Sequence, residues 1–241
     1  AELPWQFPVQ LDVAMPSAAP AQTVPPGKSQ CTRPAARTAR GRRLDAMLAE
    51  PVVRKQALAE LVWLGIPEDG RRCEAWQMLL EYRHLSHVQR DVELRQKRLE
   101  YQELRSGIYD GSSCSSKSGG EEAALLQIRC DLPRTEVCKG HGVARRQAIV
   151  DSELVQALME RVLFVWSMKQ PDAGYVQGMN DVLLPLLFVF LSERAGVGLT
   201  DEKLTITLVE ALPVAVLDEI EADSYWCLAN VLNEVLDYYI P

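Results

Sequence analysis

The sequence runs to 241 residues, 47% of them hydrophobic and 24% charged, which is enough apolar material for one large domain or two small ones. That balance excludes collagen-like, disulfide-scaffold and wholly disordered classes. Lys and Arg number 26 against 33 Asp and Glu, a formal net charge of −7. A chain without a basic field is a poor candidate for wrapping nucleic acid.

Residues 1–43 are rich in Pro, Ala, Gln, Ser and Arg. Pro4, Pro8, Pro16, Pro20, Pro25, Pro26 and Pro34 leave no room for a helix or a central strand, so a largely irregular tail is expected. Its opening, Ala1–Pro8, lacks a basic start followed by an apolar run, so no secretory leader is expected. Arg37, Arg40, Arg42 and Arg43 make its end basic, which reads as a solvated linker. Gly27-Lys28-Ser29 is not a phosphate loop: no strand leads into it, and position 22, where the first glycine belongs, is Gln22.

From Leu44 onward the periodicity is helical. Leu58, Leu61, Val62 and Leu64 give an apolar face that stops at Gly65, with Pro67 beyond. A second helix carries Cys73, Trp76, Met78, Leu79 and Leu80. Residues 85–105 read as a long, highly charged amphipathic helix with Val88, Val92, Leu99 and Leu104 on one side. A Ser/Gly-rich stretch at about 107–120 then predicts a disordered insertion. Glu121–Ile128 predicts a short helix running into Asp131-Leu132-Pro133-Arg134. Gly140-His141-Gly142 is no dinucleotide fingerprint, because Arg145 stands where a third glycine belongs.

Leu154, Val155, Leu158, Met159, Val162, Leu163 and Trp166 mark a helix over 152–168. Another is predicted over about 178–192. Its apolar run Val182–Leu191, with Pro185 inside, is half the ~20 residues that a membrane span needs, so a buried core helix is expected. Thr200 is expected to cap a helix whose first turn holds Asp201 and Glu202. A last helix is predicted from about Ser224 to Tyr239. No convincing alternating strand appears. The fold class is all-α, an irregular multi-helix array rather than a four-helix bundle, over 44–241.

Six cysteines are present, with no C-x-x-C pair. Cys130, Cys138 and His141 make an incomplete metal set. Reduced structural thiols are expected, and no metal. His84 and His87, i and i+3 on a charged helix, read as solvated.

Two stretches stand out at breaks between helices: Ile128-Arg129-Cys130-Asp131-Leu132-Pro133-Arg134-Thr135 and Tyr175-Val176-Gln177-Gly178-Met179-Asn180-Asp181. The first offers a guanidinium, a planar fork suited to phosphate oxygens. The second offers a carboxamide beside Gly178. I-x-x-D-x-x-R, matched by Ile128, Asp131 and Arg134, and Y-x-Q-G, matched by Tyr175, Gln177 and Gly178, resemble the two signature motifs of the TBC domain of Rab GTPase-activating proteins. Arg72 and Trp76 are similar to its early R-x-x-x-W element, and Glu221–Cys227 resembles its acidic-aromatic block. The four elements lie in the family's order.

The resemblance implies a TBC-like helical array and a GTPase activator rather than a nucleotide-binding enzyme. It implies Arg134 as an arginine finger and Gln177 as a glutamine that orients water, with Ile128, Asp131, Thr135, Tyr175 and Gly178 in support. Arg72 is expected to be a structural ion-pair residue, with Glu221 and Asp223 as candidate partners. Trp76, Trp166 and Trp226 are expected in the core. The implied partner is a Rab-family GTPase that carries GTP and Mg²⁺ itself, with no cofactor in this chain. Nucleic acid is not an expected partner. A cytoplasmic location is expected, peripheral to Golgi or endosomal membranes and reaching them through the Rab. The chain resembles the N-terminal portion of such a domain. A non-catalytic Rab-binding scaffold and a helical adaptor remain as alternatives.

Overall fold

Local chemistry sets the first elements. In the computed structural model, which describes residues 38–67, 71–111, 119–137 and 142–236, the Thr38 hydroxyl accepts from the Gly41 amide at 3.0 Å. It thereby opens α1 (Ala39–Leu48). The predicted irregular tail therefore ends before Thr38 rather than at 43; its remainder lies outside the described residues. Arg40, read as part of a basic linker, instead donates to the Leu61 carbonyl at 3.0 Å and the Leu64 carbonyl at 3.3 Å. The first is an end carbonyl of α2 (Lys55–Val62), which otherwise has no helical partner, and the second lies in the turn just beyond it. Helix α3 spans Arg72–Leu79. Leu44, Leu48, Val53, Leu58, Ala75 and Met78 close a small core among these three helices.

Helix α4 (His87–Arg105) corrects the expected apolar face. Val88, Val92 and Leu99 are 85%, 57% and 59% exposed; Leu104 does pack on the core, and the buried residues of the helix are Arg90, Leu94 and Tyr101. Periodicity alone misassigned the face because its inward arginines have acids waiting for them. Arg90 donates to Glu74 at 3.1 Å and the Leu48 carbonyl at 2.9 Å. Arg98 grips both oxygens of Asp223 at 2.8 and 2.7 Å. Buried charge is tolerated when it is paired and hydrogen-bonded.

The predicted disordered insertion is also corrected over its first part. The chain leaves α4 in a π-helical turn, Ser106–Asp110, in which Ile108 and Tyr109 pack on the core. Tyr109 donates to Glu160 at 2.6 Å and meets Phe164 edge-on. Averaged Ser/Gly composition hid these two anchors. Residues 112–118 of the expected insertion lie outside the described residues, and α5 (Gly119–Asp131) follows.

A 3₁₀ turn, Leu132–Arg134, then precedes α6 (Val143–Val150), a helix that periodicity missed. Helices α7 (Glu153–Lys169) and α8 (Met179–Arg194) are apolar nearly all round and form the centre of the main core. Ser152 caps α7 by accepting from the Val155 amide at 3.3 Å. The expected helix at Thr200 is absent. The Asp201 carboxylate accepts from the Lys203 amide at 2.9 Å, a local turn that competes with a helix. The short α9 (Ile206–Glu210) instead opens at Thr205.

Helix α10 (Val214–Val235) begins ten residues before the predicted start. Its acidic first half is helical because Asp218, Glu221 and Asp223 are neutralised from outside the helix. Arg105 meets Asp218 at 2.8 Å, Arg161 meets Glu221 at 2.7 Å, and Arg98 holds Asp223. Trp166 is fully buried, while Trp76 and Trp226 are half-buried against the core. Among the described residues the only β-pairing is an isolated Val52–Ser86 bridge. None of their helices is long and apolar enough to cross a membrane.

Candidate functional site

The 3₁₀ turn puts Arg134 at the surface, directly after two fixed points. Ile128 is fully buried in the main core and Leu132 is 3% exposed. Pro133 prevents α5 from continuing, so Arg134 leaves the helix axis and is exposed. Thr135, the next residue, is 1% exposed. Its amide donates to the Leu132 carbonyl at 3.1 Å.

The second segment is built in the same way. Gly178 has φ +100°, a backbone state that costs other residues strain, and from there α8 begins. Tyr175 before it and Met179 after it are buried, while Gln177 between them is exposed.

Two links join these segments. The Tyr175 hydroxyl lies 3.2 Å from Asp131 Oδ2 and 3.3 Å from Asn180 Oδ1, one proton facing both acceptors. Burial and the Asp131 carboxylate push the Tyr175 hydroxyl well above its usual range, which keeps it a donor. Asn180 Nδ2 donates to Thr135 Oγ1 at 2.8 Å. Arg134 thus sits between Asp131 and Thr135, and Gln177 between Tyr175 and Asn180, with each pair bonded across. A third amide, Gln147, donates to the Thr135 carbonyl and accepts from the Val137 amide, both at 2.9 Å. It fixes the chain as it leaves the arginine.

Asp131 accepts from tyrosine and makes no ion pair with Arg134; among the described residues, none of the ion pairs involves Arg134. Arg72 does not pair with Glu221 or Asp223, which are held by Arg161, Arg105 and Arg98. It donates instead to the Ile66 carbonyl at 2.6 Å, across the loop from α2 to α3.

Arg134 opens onto a groove of about 1040 Å³. Trp63, Ile66, Trp76, Leu184, Phe188 and Leu199 supply apolar walls, and Arg72, Arg146, Glu136 and Asp181 supply charge. Gln177 stands outside that lining. Trp63 is 66% exposed. An apolar surface edged by charge suits another macromolecule. Trp76, expected as core, is partly a wall of this groove.

Sequence reasoning passed over Asn180, Gln147 and the groove. Asn180 lay inside the motif stretch, but its role depends on a bond to Thr135, 45 positions away. Cys73, Cys130 and Cys227 are free thiols. Cys138 and His141, from the incomplete metal set, lie outside the described residues. His84 Nδ1 accepts from the Ser86 amide at 2.9 Å, a local turn contact.

The chain was compared with known proteins. The Rab-GTPase-TBC domain family model matches residues 69–241. The GTPase-activating protein gyp1 of Schizosaccharomyces pombe is 33% identical over 204 residues, covering 83% of this chain and 36% of that protein. Human TBC1 domain family member 22A is 31% identical over 193 residues, covering 80% and 34%. The crystal structure of the Ypt/Rab-GAP domain of Gyp1p superposes with a TM-score of 0.68 at 26% identity, covering 83% of this chain and 58% of that one. The chain thus spans about a third of the length of the curated relatives it matches.

Proposed function

Since the chain belongs to the Rab-GTPase-TBC domain family, we propose that it accelerates GTP hydrolysis on a Rab-type GTPase by supplying Arg134 and Gln177 in trans. The observation that carries this reading is the pair of bonds, Asp131 with Tyr175 and Thr135 with Asn180, that ties the two exposed residues' segments together beside an open groove.

The chemistry follows from what a small GTPase lacks. Its hydrolysis is slow because charge developing on the transferred phosphoryl group is poorly neutralised and the attacking water is poorly placed. An arginine supplied in trans is worth roughly 10³–10⁵ in rate. Arg134 suits that task because it is charged and exposed and makes no ion pair among the described residues, so none of those pairs has to break when it meets a phosphate. Its planar fork can bridge two oxygens, which an ammonium cannot. The Gln177 carboxamide accepts from and donates to a water at once, which orients it for attack. Most of the gain in phosphoryl transfer comes from such positioning and electrostatics.

In this reading the GTPase brings the nucleotide and Mg²⁺, and this chain brings no cofactor. The groove receives the GTPase surface, and membrane contact comes only through the Rab. The test is single-turnover GTP hydrolysis across a panel of GTP-loaded Rab proteins. Acceleration of at least one supports the reading. Binding without acceleration identifies a scaffold, and neither result leaves an adaptor.

A further inference from the structure

We propose that Asn180 is a positioning residue that holds the Arg134 and Gln177 segments at a fixed separation, an inference that rests on the two-finger reading above. Asn180 is 5% exposed, in the first turn of α8. Its Nδ2 reaches Thr135 Oγ1 at 2.8 Å, one residue past Arg134. Its Oδ1 accepts from the Gly178 amide at 3.2 Å, one residue past Gln177. One rigid amide plane therefore touches the residue next to each finger.

The remaining capacity of the amide is also used. Nδ2 lies 3.3 Å from Asp181 Oδ1, and Oδ1 lies 3.3 Å from the Tyr175 hydroxyl. Two donors and two lone pairs are thus all engaged, the full complement of an asparagine. The orientation of the amide follows from its neighbours. A flip would aim an N–H at the Gly178 N–H and a carbonyl at the Asp181 carboxylate.

No other side chain of this size does the same work. Aspartate keeps the acceptor for Gly178 but meets Thr135 only if that hydroxyl turns to donate, and it adds a charge beside Asp131 and Asp181. Leucine bonds to neither segment. The clamp is also anchored: Leu183 and Leu187, on the next turns of α8, are fully buried. Gln147 differs, because it holds only the arginine side, through Thr135 and Val137.

The experiment has a kinetic arm and an arm that needs no GTPase. In the first, Asn180→Leu is assayed with whichever GTP-loaded Rab of the panel responds to wild type. Displacing a positioned group by about 1 Å costs about 10²-fold, so kcat should fall by roughly that factor while KM stays within about threefold. Thr135→Val, which cuts the same bond from the other side, should lose about tenfold, and Thr135→Ser should stay near wild type. The double variant Asn180→Leu/Thr135→Val should be no slower than Asn180→Leu alone, since Thr135→Val cuts a bond that Asn180→Leu has already removed.

In the second arm, hydrogen exchange is measured on the protein alone. Asn180→Leu should raise exchange at the Gly178 amide and over 134–137 together, with the centre of α7 unchanged, whereas Gln147→Ala should raise it over 134–137 only. The proposal is overturned if the kinetic loss merely tracks the folded fraction. It is equally overturned if exchange rises in one segment without the other, or throughout the molecule. If no Rab responds to wild type, the two-finger reading fails, and the exchange arm still decides the clamp.

Discussion

Arg98 and Arg134 are the same side chain in opposite circumstances. The Arg98 side chain is 12% exposed and spans both oxygens of an Asp223 that is itself buried, with Glu219 at 2.8 Å as a further partner. Arg134 is exposed on a 3₁₀ turn, and its neighbours Asp131 and Thr135 are bonded to other groups. The buried region between α4, α7 and α10 has its charges matched acid to base. The finger region has its backbone fixed and its charge left open. A buried charge holds the fold because removing its partner is costly. An open charge held by a fixed backbone contributes little to the fold and is available to a partner molecule.

That contrast can be broken from the buried side. Asp223→Ala leaves Arg98, Tyr82 and Gln77 without their shared acceptor. Orphaning a buried ion pair costs about 3–5 kcal/mol, and at roughly 2–4 °C per kcal/mol for a chain of this size the melting temperature should drop by about 10 °C. Calorimetry or a circular-dichroism melt reads this directly. Next in size, Leu187→Ala empties a fully buried site in α8. A loss of about 2–5 kcal/mol is expected in denaturant titration, with an unchanged m-value.

Smaller effects sharpen the comparison. Gly178→Ala meets no atom within 4 Å, so its cost is the φ of +100° alone, about 1–2 kcal/mol. A larger loss would mean that the glycine is also needed for space. At the bottom of the scale, Arg129→Ala removes a pair with Glu160 in which the arginine side chain is 55% exposed. The expected change is below about 1 kcal/mol, and added salt should shrink it further.

Legibility in the sequence divided along the same line. Helices α7 and α8 were readable because apolar runs that long have only a buried solution, and Ser152 marks where α7 starts. Both motif stretches were readable because they break helices with Pro133 and Gly178. The inner face of α4 was not, because its arginines are acceptable inside only with Asp223, 125 positions away, or Glu74 as partner. The early start of α10 was hidden for the reciprocal reason: Asp218, Glu221 and Asp223 look like a solvent-facing run until Arg105, Arg161 and Arg98 are set against them. Arg72 holds the Ile66 carbonyl, six positions away, a contact that its residue type does not announce. Pairings between distant residues are what periodicity cannot carry.

The most direct test of the account is Arg134→Ala, with single-turnover hydrolysis on a responsive Rab and thermal melting measured on the same protein. The account predicts a rate lower by about 10³-fold or more, poor rescue by Arg134→Lys, and a melting temperature within about 1 °C of wild type. A melting temperature lower by several degrees, with the rate per folded molecule unchanged, would contradict it. Arg134 would then belong with Arg98 among the residues that hold the fold.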